Sequence, residues 1–296
     1  MARIRGTAGN DVLDGTNDNF LGFGGDDLIY GLAGDDEISG RSGDDKLYGG
    51  ADQDTIYGGQ GHDRLFGGAG DDWLNGNSDD DFMSGDAGVD TMLGATGDDT
   101  MNGGSGDDTI RGGSGNDRIR GGYGNDFLYG GDGNDLMRGS EFGDASWDLG
   151  NFMSGGAGND DMAGEFRGDT LLGDAGNDKL NGSLGADLLW GGGGLDRFWY
   201  DSPMDSHANA TDTIFDFQIG RDKLDLAAID ANDQMPNDQR FIYADAPPTS
   251  LATGYLTFWY DVEANRTVVE ANTGSATHLV IELVGNIHLS SSDLYW

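Results

Sequence analysis

The sequence predicts an all-β protein: a right-handed parallel β-roll capped by a mostly β C-terminal domain. Its first support is a nonapeptide, G-G-x-G-x-D-x-U-x with U a large apolar residue, that recurs in phase from Gly22 to Arg138. Gly103–Arg111 reads GGSGDDTIR and Gly112–Arg120 reads GGSGNDRIR. The second is phase itself. The chain holds 55 glycines, and a disordered Gly/Asp-rich segment would keep that composition but not the register. The third is a change of texture after Trp199, where the period stops and apolar and aromatic residues rise. Residues 1–199 therefore read as the roll and 200–296 as the cap. A unit of nine residues cannot bury its apolar side chain alone, so stacking of units supplies the core.

Within a unit, glycines at positions one, two and four are expected to permit the positive φ of a tight turn. Asp at position six closes the turn, and positions seven to nine form a short strand with the eighth side chain inward. Two units make one coil, so a repeat stacks on the next but one, for example Asp99 with Asp117. Carbonyls plus carboxylates form a hard oxygen cage, which suits calcium over zinc or copper. The predicted metal ligands in the long run are Asp27, Asp36, Asp45, Asp54, Asp63, Asp72, Asp81, Asp90, Asp99, Asp108, Asp117, Asp126 and Asp135. Pairing of stacked turns, here and in the later repeats, gives on the order of fourteen Ca2+ ions.

The elements follow in order. Gly6–Asp14 is a first repeat, with Asp11 in the ligand place. The stretch 15–21 is degenerate and shifts the phase. Asp52 and Asp79 replace the fourth glycine, which means strain or an extra oxygen. The stretch 139–154 breaks the frame and reads as a bulged coil with Asn151 in the ligand place and Met153 inward. Five further repeats start at Gly155 and carry Asp160, Asp169, Asp178, Asp187 and Asp196; Arg167 in the fourth place of one argues against an ion there. Beyond Trp199, Tyr255–Val262 and Thr277–Val284 read as strands.

The formal net charge of -38 argues against nucleic acid or an anionic membrane as a partner of the bulk surface. With no cysteine, any covalent-like staple must be a metal. No run of eighteen apolar residues exists, so no transmembrane segment is expected, and the start, MARIRGTAGND, offers no apolar signal-peptide core. None of the four histidines lies in H-E-x-x-H, and no G-x-S-x-G elbow occurs, so no enzyme is expected within these residues.

The repeats resemble the RTX family. The residues after them are similar to the C-terminal domain of serralysin-type secreted metalloproteases. That likeness rests on Gly194, Asp196, Phe198 and Tyr200 at the end of the repeat block, and on the DTIFDFQIGRDKLDL stretch, Asp212–Leu226. The resemblance implies calcium binding and type I secretion from a Gram-negative bacterium, with the signal at the C-terminus, where Asp293, Leu294, Tyr295 and Trp296 fit it. The protease itself is absent. The reading is a secreted, extracellular calcium-binding protein with a structural, surface or matrix role. Two alternatives stay open: a small signalling or pore-forming effector, as in the calcium-binding nodulation proteins of rhizobia, and a carrier module for an enzyme encoded elsewhere.

Outward positions align Tyr30, Tyr48 and Phe66 beside Lys46 and Arg64, with Arg118, Arg120 and Arg138 farther along. Such columns either bind an acidic extracellular polysaccharide or simply stabilise the coil. Without metal, carboxylates on successive coils stand about 4.8 Å apart and repel by roughly 3 kcal/mol per pair at an effective dielectric near 20. The expectation is a chain that is unfolded at cytosolic calcium and folds outside the cell.

Overall fold

The computed structural model describes residues 3–7, 9–14, 25–140, 150–229, 242–244, 254–273 and 278–295. The irregular stretch 15–21, the opening of the long run at 22–24, residues 141–149 of the second irregular stretch, Thr277 and Trp296 lie outside them. The chain forms two compact units, Met1–Ala157 and Gly158–Trp296.

In the first unit successive strands alternate between two parallel sheets, and each pairs with the strand two repeats on. Lys46 lies beside Arg64 and Leu47 beside Leu65 in one sheet; Thr55 lies beside Trp73 and Ile56 beside Leu74 in the other. This is a parallel β-roll. The eighth positions, from Ile29 to Met137 and again at Met153, are at most 2% exposed and fill the space between the sheets.

The strands are longer than the three residues expected. Lys46–Ala51 and Trp73–Ser78 each span six, taking in positions one to three of the next repeat. Their burial alternates through the position-one glycine, which faces inward beside the eighth residue. That glycine is extended, so its role is not the positive φ expected of it. A Cβ at Gly49 would overlap Asp54 Oδ2 and the Gly67 carbonyl. Glycine is required there because an aspartate and the next coil press against its Cα. Positive φ belongs to positions two and four, as at Gly50 (+127°) and Gly61 (+113°).

The two irregular stretches keep the roll in step. Arg3 pairs with Leu28 and Val12 with Glu37, and Phe127 pairs with Phe152. Each offset is 25 residues, one coil plus seven. The described strands on either side of each stretch stay in register, and Met153 stays fully buried.

In the second unit the repeats supply Asp161–Ala163, Lys179–Asn181 and Arg197–Trp199 to one sheet and Thr170–Ala175 and Leu188–Trp190 to the other. Trp199 ends the last repeat strand. Non-repeat strands then extend the same sheets: Asp212–Ile214 stacks parallel on Leu188–Trp190, and Lys223–Asp225 on Arg197–Trp199. Leu294–Tyr295 pairs in turn with Lys223–Asp225. The expected strand Tyr255–Val262 is Tyr255–Asp261, and the later one is Leu279–Val284. They flank Arg266–Asn272 in an antiparallel arrangement.

Candidate metal centre

The position-six aspartates form rows along the turns. Each is 0–3% exposed from Asp27 to Asp196. Each hydrogen-bonds the next but one through the main chain: Asp45 N–H donates to Asp63 Oδ1 (2.7 Å), and Asp63 N–H donates to Asp81 Oδ1 (2.7 Å). On the other edge Asp36 N–H donates to Asp54 Oδ1, and Asp54 N–H to Asp72 Oδ1, both 2.8 Å. Asp99 and Asp117 pair in the same way, as the spacing predicted.

The second oxygen has no such use. Oδ2 of Asp36, Asp45, Asp54, Asp63, Asp72, Asp81, Asp90, Asp99, Asp108 and Asp117 is buried and accepts no hydrogen bond; the same is true of Asp178 and Asp196. A buried acceptor left unmet costs about 1–3 kcal/mol, and more when charged. These oxygens lie against the position-one glycines and the carbonyls of the next coil, as at Gly94 with Asp99 Oδ2 and the Gly112 carbonyl. The cradle is therefore lined in part by hard anionic and carbonyl oxygens. Among the described residues no three His, Cys, Asp or Glu side chains converge on one point. A cation here is held by paired carboxylates together with main-chain carbonyls. That donor set fits calcium.

Burial, reinforced by like charges on neighbouring rungs, drives these carboxyls far above the ordinary 3.8 in the absence of metal. Asp63 rises to about 8, with Asp81 and Asp45 adding to the effect of burial. Asp108 also rises to about 8. Asp45, Asp72, Asp81, Asp117 and Asp178 rise to about 7, and Asp54, Asp90, Asp99 and Asp196 to about 6.

The other predicted ligands form rungs of the same kind within each unit. Asp27 N–H donates to Asp45 (2.6 Å), Asp117 N–H to Asp135 (2.8 Å), and Asp160 and Asp169 N–H to Asp178 and Asp187. Asp126 N–H donates to Asn151 Oδ1 (2.9 Å), so an amide takes the carboxylate's place at the second irregular stretch. Asp11 differs: it is half-buried, and its Oδ2 takes the Thr7 main-chain N–H (2.5 Å). Arg167 adopts φ +76°, and the turn it occupies keeps the Asp169–Asp187 rung. Asp52 and Asp79 stand at φ +77° and +74°, and their carboxylates accept the N–H of Gly34 and Gly61 on the preceding coil.

Two features escape the repeat pattern. Asp212 and Asp222 continue the rows beyond the last repeat, accepting from Asp187 N–H (3.0 Å) and Asp196 N–H (3.2 Å). Their 25- and 26-residue offsets hide them from a period of eighteen. Burial raises Asp212 well above the carboxylate range, and Asp187 beside it adds to the shift. The second feature is position five, where an exposed Asp or Asn accepts the N–H of the residue one coil on, as from Asn116 to Asp98 (2.7 Å) and Asn134 to Asn116 (3.0 Å). The recurrence of Asp and Asn at that place was its only signal.

Roll and donor set together define a class: repeat-built β-rolls whose turns are lined with buried carboxylates. The profile of the Peptidase M10 serralysin C-terminal family matches residues 6–295, and the chain belongs to that family. Calcium binding and secretion go with the family. The chain has no match among curated protein sequences. Among solved structures it is similar to the AlgE6R2 subunit from the Azotobacter vinelandii mannuronan C5-epimerase, at 24% identity over 60% of this chain and 90% of that one, with a TM-score of 0.35. The AlgE6R3 subunit of that epimerase is 26% identical over 56% and 79%, with a TM-score of 0.31. The extracellular lipase LipA from Serratia marcescens is 16% identical over 80% of this chain and 40% of that one, with a TM-score of 0.19.

Proposed function

We propose that this chain is a secreted calcium-folding protein, with residues 1–199 as the metal-loaded roll and 200–296 as its cap and export domain. The observation that carries the reading is the row of buried Oδ2 atoms without donors, set against position-one glycines and main-chain carbonyls of the next coil. Calcium supplies positive charge to both carboxylates of a rung. The position-six aspartates from Asp11 to Asp196 are the side-chain ligands, Asp11 contributing least because Thr7 already occupies one of its oxygens. The turn backbone holds the carbonyls in place, and the position-one glycines keep the cradle open. Stacked turns give on the order of fourteen ions.

The role outside the cell is structural or surface-directed and not catalytic. It follows type I export from a Gram-negative cell with the signal near the C-terminus. Support for a non-catalytic role is the lack of H-E-x-x-H or a serine elbow in the sequence.

Calcium counted by mass spectrometry of the folded, dialysed full chain tests the reading. On the order of fourteen ions are expected; fewer than about six would overturn it. Asp99→Ala should remove only the ions touching that rung, since solenoid repeats couple to nearest neighbours.

A further inference from the structure

One face of the first unit departs from the charge of the rest. On the sheet containing Arg3–Arg5, Lys46–Ala51 and Arg118–Tyr123, the seventh and ninth positions of every described strand point outward. They carry Arg3, Arg5, Lys46 and Arg64 towards one end and Arg118, Arg120 and Arg138 towards the other. These are seven of the chain's 16 lysines and arginines, and no Asp or Glu occupies those positions. The whole chain has 54 acids. The opposite sheet lacks this bias, with Asp14, Glu37 and a single arginine, Arg111, in the same places.

The arginine end forms a shallow groove of about 350 Å³, floored by Met101 and Ile119 and edged by Phe82, Arg118, Arg120 and Arg138. Arg120 stands in register with Arg138 on the next strand, about 4.8 Å away, while Arg118 and Arg120 flank one strand about 6.8 Å apart. Asn102 and Thr100 continue both columns on the preceding strand. Arginine forks of this kind suit carboxylates, which they hold bidentately. Polar Asn102 and Thr100 suit hydroxyls. Phe82, 37% exposed and tilted by 45° from Phe66, offers an apolar edge.

Other anionic partners fit less well. Tyr30, Tyr48 and Phe66 stack on one another at 4.9 Å, so their ring faces are covered and closed to nucleobases. A phosphate polymer, with one charge per about 1.7 Å of duplex, would also meet the acidic turns on either side of this strip. A lipid surface requires protruding apolar side chains, and among the described residues of these strands the exposed ones are Phe82 and, at the strand end, Tyr123. A linear chain with sparse carboxylates and many hydroxyls matches both the charge and the shape. We infer that this face binds an acidic polysaccharide, with the uronate carboxylates seated on Arg118, Arg120 and Arg138. The inference rests on the roll being folded by calcium.

The test is calorimetric titration of the calcium-loaded full chain with hexagalacturonate and with neutral maltohexaose, circular dichroism establishing the fold in each sample. Binding to hexagalacturonate alone is expected. The triple variant Arg118→Gln, Arg120→Gln, Arg138→Gln should weaken it at least tenfold, as should Thr100→Asp, which sets a carboxylate beside Arg118. Arg221→Gln, outside this face, should leave it unchanged. A folded chain that ignores hexagalacturonate, or variants that bind it as well as the parent, would overturn this inference and leave the calcium reading standing. Tighter binding of a thymidine oligonucleotide or of phosphatidylglycerol vesicles, lost in the same variants, would overturn the choice of a polysaccharide. A chain that fails to fold in calcium would overturn the calcium reading and this one with it.

Discussion

The aspartates of the repeats and several of those beyond residue 200 are differently satisfied. From Asp36 to Asp117 one carboxylate oxygen takes a main-chain N–H and the other takes nothing. Beyond the repeats the pattern changes. Asp205 accepts from Asp201 and Ser202 N–H. Asp216 divides its oxygens between Gly191 and Gly192 N–H. Asp222 accepts from Asp196 and Gln218 N–H, and Asp293 from Gly220 and Ser290 N–H. One set keeps a buried oxygen without a donor, while Asp216, Asp222 and Asp293 have both oxygens met by the chain itself. Asp212 is the exception among the later ones, with its Oδ2 left over as in a repeat.

The largest test of this contrast is chelation. In excess chelator, hydrogen exchange on the full chain should show the amides of 25–140 unprotected, while 255–261, 266–272 and 279–284 remain protected. Equal protection in both regions would break the contrast.

Acidification should act with opposite sign on the repeat carboxyls and on Asp293, whereas burial raises Asp205 and Asp222 as it does the repeats. The repeat carboxyls are raised, so the calcium-free roll gains stability that is complete below about 3.8 and is lost as pH climbs towards the values near 8 of Asp63 and Asp108. Burial pushes Asp293 up, but donors from Ser290 and Gly220, with Lys223 nearby, hold it below 3.8. Its contribution is present above 3.8 and lost as pH falls through its lowered value. Circular dichroism in chelator, scanned from pH 8 to pH 4, should therefore show sheet content rising on acidification. A flat profile would deny the burial effect.

Glycine substitutions compare the regions at smaller scale. Gly49→Ala, where a Cβ meets Asp54 Oδ2 and the Gly67 carbonyl, should cost about 1–3 kcal/mol by overpacking and release calcium from that turn. Gly220→Ala, at φ +75° with open space around it, should cost about 1–2 kcal/mol of left-handed strain and release none. Calcium binding followed with thermal melts separates the two. The smallest effect should come from Asp52→Gly, which restores the repeat residue at φ +77° but removes the acceptor for Gly34 N–H; a net change under about 1 kcal/mol is expected.

The roll was legible because a period of nine with Asp and an apolar residue in fixed places is a pattern that only stacking explains, and the buried eighth positions from Ile29 to Met137 followed directly. Strand length was not legible. A glycine placed for close approach and one placed for positive φ look alike in sequence, and only contact with Asp54 tells Gly49 from Gly50. Asp212 and Asp222 were hidden by connections of 25 and 26 residues, since register in a sheet depends on which strands stack and not on the length of chain between them. Asp212 and Asp222 stood within the DTIFDFQIGRDKLDL resemblance, but that likeness carried no information about rungs.

The position-six rungs all point one way: the amide of an aspartate is met by the carboxylate of the one a coil later. The position-five rungs point the other way, as from Asp98 N–H to Asp80 and from Asn116 N–H to Asp98. A turn joining from either side therefore finds one acceptor already in place and brings another, so zipping can advance in both directions, each new turn building on a finished template.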